Sequence, residues 1–227
     1  MRFVRLEKLD SSYQLSARDK KHLQVIRSKF PLKIQAVCEN VELSVELHQL
    51  GSDIVVKNVK ELSELSTQGP VYYFPLIDSK RLEWGLEKLV ELSVQEIQFY
   101  YSDHSTYNKK QIQKFNDRLD KLKNTVEEAQ KQSGNLIKPI LHPAVSLDKL
   151  FDHMDCPLVL GVHDDSILSA TDIATMKSLV IGPEGDFSSR EYKEFSKRNF
   201  VIKKLADPFI LRTETALLYV ASIRKFL

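Results

Sequence analysis

The sequence predicts a two-part α/β chain: a small β-rich domain or barrel, followed by an α/β domain built on a mostly parallel sheet. Three observations predict it. Val41, Leu43, Val45 and Leu47 alternate with Glu42, Ser44 and Glu46, the period of two of a half-buried strand. Beyond residue 70, short apolar runs alternate with amphipathic helical stretches, the pattern of strands covered on both faces. Between the two patterns, Ser66-Thr67-Gln68-Gly69-Pro70 has the chemistry of a linker.

Composition bounds the rest. With 227 residues, 42% hydrophobic and 28% charged, the chain can bury a sizeable core, and collagen-like, disordered and disulfide-scaffold classes are excluded. Cys38 and Cys156 are far apart, and the six histidines are scattered, so neither a disulfide framework nor a zinc site is expected. No uncharged apolar run approaches the ~18 residues of a membrane span. The opening MRFVRLEKLD lacks the apolar stretch of a signal peptide. These features predict a soluble cytoplasmic protein without membrane association.

Taken in order, residues 1–33 hold nine lysines and arginines against three acids, whereas residues 34–69 hold two against six. A basic leading face beside an acidic body is one footprint of a nucleic-acid binder; a merely solvated surface gives the same count. Strand character runs from Ile34 to Val59, interrupted by a turn at Leu50-Gly51-Ser52-Asp53. Val71–Ile77 is an apolar run, Leu82, Leu86, Leu89 and Val90 mark a helix, and Glu96–Tyr101 returns to strand. From 109 to 132, Ile112, Phe115, Leu119, Leu122, Val126 and Ala129 recur at three- and four-residue steps, which predicts one long amphipathic helix. Three more short apolar runs follow, at 157–162, 178–181 and 200–205.

Two motifs carry chemistry. In Leu179-Val-Ile-Gly-Pro-Glu-Gly-Asp-Phe-Ser-Ser-Arg-Glu191 a strand enters a turn and then a helix, with Ser188 and Glu191 spaced as a capping box. Gly182 and Gly185 allow backbone geometry or close ligand approach that a side chain would block, although a ligand-free tight turn reads the same way. The second motif, Phe209-Ile-Leu-Arg-Thr-Glu-Thr-Ala216, opens the last helix. Thr213 is its expected N-cap, and Glu214 suits the positive end of the helix dipole. Arg212 gains nothing from that dipole. Its placement points to an anion or an acidic partner, or else to a weak surface pair with a glutamate.

Together, IGPEGDFSSRE and ILRTETA closely resemble the RsmE family, the 16S rRNA uracil-N3 methyltransferases of the SPOUT superfamily, whose patterns are IGPEGGFS-x-x-E and LG-x-RILRTETA. DSKRLEWGLEKLVELSV (78–94), AQKQSGNLIKP (129–139) and HLQVIR (22–27) resemble further family segments. The resemblance implies a PUA-like RNA-binding β-barrel over 1–68 and a SPOUT methyltransferase domain with a C-terminal trefoil knot over 70–227. It also implies a homodimer acting on small-subunit ribosomal RNA with S-adenosyl-L-methionine.

Carried over residue by residue, the cofactor loops are Leu160, Gly161 and His163; Ile181, Gly182, Pro183, Glu184 and Gly185; and Leu205, Ala206, Pro208, Ile210 and Leu211. Backbone groups around the glycines would read the adenine edge, and Ile181, Ile210 and Leu211 would form its apolar slot.

Uracil N3 carries a proton and attacks poorly until that proton leaves. Arg212 is therefore the expected stabiliser of developing negative charge. Glu214 is the candidate to accept the proton or orient Arg212, and Thr215 or Thr213 to hydrogen-bond the base. Arg2, Arg5, Arg18, Lys21 and Arg27 are the candidate RNA phosphate contacts.

The sequence departs from the family where Asp186 replaces the second glycine of GPEGG, and where Asp207 and Phe209 replace the Gly and Arg of LG-x-R. Asn135 replaces the arginine of Q-S-G-R, and Ser93 the glycine of E-L-G-V. Three alternatives stand beside the main reading. The first is a SPOUT enzyme acting on another RNA. The second is an RNA-binding or ribosome-assembly protein that has lost catalysis. The third, a phosphate-binding α/β enzyme, lacks the lysine of a P-loop.

Overall fold

The computed structural model describes residues 2–10, 12–66, 68–163, 166–206 and 210–227. The chain divides into two compact units: residues 1–67 with 130–137, and residues 68–129 with 138–227.

The first unit contains β1 (Phe3–Leu9), β2 (Ser12–Leu15), α1 (Ala17–Val25), β3 (Leu32–Cys38), β4 (Val41–Leu50) and β5 (Asp53–Glu64). These form a five-stranded sheet in the order β2-β1-β3-β4-β5, antiparallel except where β1 runs parallel to β3. β2 also approaches β5, so the sheet curls. The alternation read in β4 holds: Leu43, Val45 and Leu47 are buried with Val4, Leu6 and Leu23 in one core. Gly51 takes φ +62°, as the expected turn requires.

β1, β2 and α1 lie where the sequence showed only positive charge. Phe3 and Val4 are adjacent and both fully buried, so β1 lacks the alternation that marks a half-buried strand. α1 is capped by the Ser16 side chain, which accepts from Asp19 N. The buried Asp19 carboxylate accepts from Arg5 N at 2.7 Å and from Lys131 Nζ. The segment 130–137 joins this unit through Gln130, whose Oε1 accepts from Arg5 Nη2 at 2.6 Å, and through Ser133, whose carbonyl accepts from Arg2 Nη1 at 2.8 Å.

The second unit contains β6 (Val71–Pro75), α2 (Ser79–Glu91), β7 (Glu96–Tyr101), α3 (Lys109–Asp117), α4 (Leu119–Ser133, up to its last turn), β8 (Ile140–Ser146) and α5 (Leu147–Leu150). β9 (Leu158–Leu160), α6 (Ala170–Thr175), β10 (Ser178–Ile181), α7 (Ser189–Lys197), β11 (Val201–Lys203) and α8 (Thr213–Phe226) complete it. Its six strands form a fully parallel sheet in the order β11-β9-β10-β6-β7-β8.

Strand periodicity sorts side chains onto the two faces. Tyr72, Phe74, Phe99, Leu179 and Ile181 join one core with Leu86 of α2, Val126 of α4 and Leu217 of α8. Their neighbours Tyr73, Tyr100 and Val180 join another, with Leu147 of α5 and Phe195 of α7. Covering both faces removes any polar alternation, which is why these strands read as continuous apolar runs.

One expectation is corrected here. The long helix at 109–132 is two helices, α3 and α4, separated at Arg118. Near the end of α3, Asn116 is pinned to the backbone of Ala144, donating to its carbonyl at 3.1 Å and accepting from its N–H at 2.7 Å. That pairing also explains β8, which the sequence did not reveal. Pro143 and Ala144 sit where the register shifts between Gln98 and Tyr100, and Asn116 supplies the backbone partners that the irregularity removes from the ladder.

Two departures from the family patterns acquire a geometry. Ser93 and Asp186, each standing for a family glycine, take φ +64° and +55°, the left-handed region where glycine is unstrained. Among the described residues, no helix is long and apolar enough to cross a membrane.

Candidate active site

The carboxyl ends of β9 and β10 and the amino end of α8 enclose a cavity of about 690 Å³. Open parallel sheets bind ligands at such strand ends. Leu160 and Gly161 reach it from β9, and the turn Ile181–Gly185 from β10. Leu205, Ile210, Leu211 and Arg212 close it from the C-terminal side. These are most of the residues that the resemblance nominated for cofactor binding, gathered from three segments.

Not all nominated residues converge. His163 lines an adjoining depression instead, with His104, Asp186 and Tyr192. Ala206 is exposed and does not line the cavity, and Pro208 lies outside the described residues, as do Asp207 and Phe209. Val162, within the expected loop from Leu160 to His163, lines the cavity, and Arg81, Asp186, Lys204, Thr213 and Ala216 line it from outside the nominated loops.

The turn is held from several directions. Gly182 N donates to Leu160 O at 2.9 Å, and Asp186 N to Pro183 O at 3.0 Å. His104 Nδ1 donates to Gly185 O and Asp186 O at 2.9 and 3.0 Å, and these carbonyls push the imidazole pKa up. The expected capping box is present: Ser188 Oγ accepts from Glu191 N at 3.2 Å, and Glu191 Oε2 accepts from Ser188 N at 2.8 Å. Glu191 is fully buried, and its other oxygen accepts from Asp103 N at 3.0 Å.

Gly161 marks a close approach. A Cβ there would overlap the Tyr192 hydroxyl and lie 3.0 Å from its Cζ. Tyr192 cannot withdraw without breaking its 2.8 Å hydrogen bond to Asp186 Oδ2 and its edge-on packing with Phe187. Gly161→Ala is therefore expected to destabilise the protein by about 1–3 kcal/mol, read by thermal denaturation. An unchanged melting temperature would mean that Tyr192 swings aside freely.

The start of α8 differs from expectation. Its N-cap is Arg212, with φ −63° and ψ 151°, and Thr213 is the first helical residue. Thr213 Oγ1 donates instead to Gly182 O at 2.9 Å, tying the helix to the turn. The Arg212 side chain is exposed, lines the cavity and has no partner among the described residues. Thr215 is exposed and does not line the cavity.

Glu214 does not orient Arg212. Its side chain is only 6% exposed, and both oxygens accept from Arg81, Oε1 from Nε at 2.8 Å and Oε2 from Nη2. Arg81 Nη1 also donates to Glu184 of the turn. One guanidinium thus joins α2, the 182–186 turn and α8, and the hydrogen bond to Glu214 raises the Arg81 pKa further. Both Glu214 oxygens are thus engaged by Arg81, and its side chain does not line the cavity. The sequence signal for Arg81 is general: it lies in the first turn of α2, three residues after the Asp78 cap.

In the first unit, the candidate RNA contacts separate into two kinds. Arg2 and Arg5 bind Ser133 and Gln130, and Arg5 is half-buried, so both serve that unit's own packing. Arg18 and Lys21 on α1, and Arg27 just beyond it, are exposed.

A parallel α/β domain with a ligand-sized cavity at its strand ends, walled by glycine-bearing turns and an arginine with no partner among the described residues, defines the class: a small-molecule-binding α/β protein. Residues 67–225 match the family described as RNA methyltransferase domain, and the chain belongs to that family. It is 29% identical over 170 residues to the ribosomal RNA small subunit methyltransferase E of Aquifex aeolicus, covering 71% of this chain and 72% of that protein. It is 24% identical over 204 residues to ribosomal RNA small subunit methyltransferase E 2 of Borreliella burgdorferi, covering 87% and 83%. In structure it is similar to a ribosomal RNA small subunit methyltransferase E from Neisseria gonorrhoeae crystallised with S-adenosyl methionine. That likeness has a TM-score of 0.79 at 22% identity, covering 100% of this chain and 97% of the other. The resemblance to the RsmE family read from the two motifs is borne out.

Proposed function

We propose that the protein methylates N3 of a uridine in small-subunit ribosomal RNA, using S-adenosyl-L-methionine held in the 690 Å³ cavity. The observation that carries this reading is the convergence of three chain segments and the unpaired Arg212 on one cavity. The residues present fit the cofactor. Leu160, Ile181, Leu205, Ile210 and Leu211 offer an apolar slot for adenine beside the backbone of Gly161 and Gly182. The Glu184 and Asp186 carboxylates suit the positive charges of the methionine portion.

When bound, the cofactor supplies an electrophilic methyl group. Arg212, at the cavity's edge, stabilises the negative charge that the uracil carbonyls gain as N3 gives its proton to solvent water. Thr213, fixed to Gly182, holds the start of α8 in place and so fixes where Arg212 departs from the backbone. Arg81 keeps Glu184 and Glu214 in register across the cavity wall. The target uridine must be unstacked to reach this position.

In the same reading, residues 70–227 form a SPOUT domain with a trefoil knot, and residues 1–68 a PUA-like barrel. Arg18, Lys21 and Arg27 contact RNA phosphates, making binding salt-dependent. The enzyme works as a cytoplasmic homodimer. Mass spectrometry of ribosomal RNA from cells with and without the gene tests the proposal. One methyl on one small-subunit uridine should disappear with the gene, and unchanged uridine methylation would sink it.

A further inference from the structure

We propose that Asp186 is a counter-ion for the positive charge of the methyl donor, a role carried by this chain's own departure from the family glycine. The inference rests on the reading of the cavity as a methyl-donor site and assigns the residue that tunes it. Asp186 occupies a left-handed backbone position, φ +55°, where glycine would be unstrained, yet it places a carboxylate in the cavity wall.

That carboxylate is held in one orientation. Oδ2 accepts from the Tyr192 hydroxyl at 2.8 Å. Burial, and then the Asp186 carboxylate itself, push the Tyr192 pKa up, so the phenol remains a donor through neutral pH. The Tyr192 ring is wedged edge-on against Phe187 and Phe195, with centroids 5.7 and 6.1 Å away. Oδ1, by contrast, accepts no hydrogen bond from a described residue. It stands 3.0 Å from where a Cβ on Gly182 would lie, against the glycine backbone that walls the cavity.

The side chain is 13% exposed, and no lysine or arginine among the described residues pairs with it. His163, whose Nε2 is 3.7 Å from Oδ2, is 76% exposed and stands on the side of the adjoining depression. A largely desolvated carboxylate with one oxygen unbonded and no fixed cation beside it is an incomplete ion pair. A ligand cation in the cavity completes it. The donor has two, a sulfonium and an ammonium. Its demethylated product, S-adenosylhomocysteine, keeps the ammonium but has a neutral thioether.

Isothermal calorimetry of the full-length protein with S-adenosylmethionine and with S-adenosylhomocysteine tests this. Asp186→Asn and Asp186→Gly are compared with the unchanged chain, and thermal melts verify folding. The glycine variant suits the backbone at that position, so it guards against misfolding of the asparagine variant. Both variants are expected to bind S-adenosylmethionine about tenfold more weakly, the scale of one charge-assisted hydrogen bond. An equal loss for the product assigns the carboxylate to the ammonium; an unchanged product affinity assigns it to the sulfonium. Wild-type affinity for both ligands in both variants overturns the proposal. If the unchanged protein takes up neither ligand, the methyl-donor reading itself falls, and the proposal with it.

Discussion

Replacing Arg212 with alanine is expected to lower the methylation rate by about 10²–10³-fold, the effect of removing one preorganised group from a developing oxyanion. The loss should appear in kcat, because the interaction matters once charge develops on the uracil carbonyls and contributes little before that. Donor affinity and melting temperature should stay near their original values, since the side chain is exposed and contacts no described residue. Arg212→Lys should recover only part of the rate, because an ammonium lacks the planar fork of a guanidinium. Near-normal turnover by the alanine variant would remove Arg212 from the mechanism.

Arg81→Ala is expected to be the most destabilising single change in the cavity wall. It strands the Glu214 carboxylate, 6% exposed, without its cation. Breaking a buried pair from one side costs about 3–5 kcal/mol. In a chain of this size that lowers the melting temperature on the order of 10 °C. The double variant Arg81→Met/Glu214→Gln removes both charges and should regain most of the lost stability. Methylation should remain impaired, because Glu184 of the turn then loses its hydrogen bond from Arg81. Calorimetric melts of the two variants decide the matter. A single variant as stable as the parent would show that the wall is held by packing alone.

The departures at Ser93 and Asp186 show how a motif letter can conceal two separate demands. The family glycine answers a backbone requirement, and the positive φ at both positions preserves that requirement here. Ser93 meets it at the end of α2, where its Oγ accepts from Lys225 Nζ at 3.3 Å. Asp186 meets it while adding charge to the cavity wall. The pattern comparison identified both substitutions, but only the backbone angles distinguish a tolerated strain from a lost turn.

By itself, the sequence marked the apolar runs at 71–77, 96–101, 157–162, 178–181 and 200–205 that carry strands of the parallel sheet, the Gly51 turn, and the two motifs whose loops meet at the cavity. Those features are written locally, in apolar runs, turn residues and capping side chains whose effects reach a few positions along the chain. Tertiary structure alone decided the Arg81 partnership, across 103 residues to Glu184 and 133 to Glu214. It likewise joined Arg5 to Gln130, across 125 residues. It also let β8 form around Pro143, with Asn116 completing its backbone bonds. A charged or amide side chain chooses its partner by proximity in space, and no periodicity along the chain records that choice.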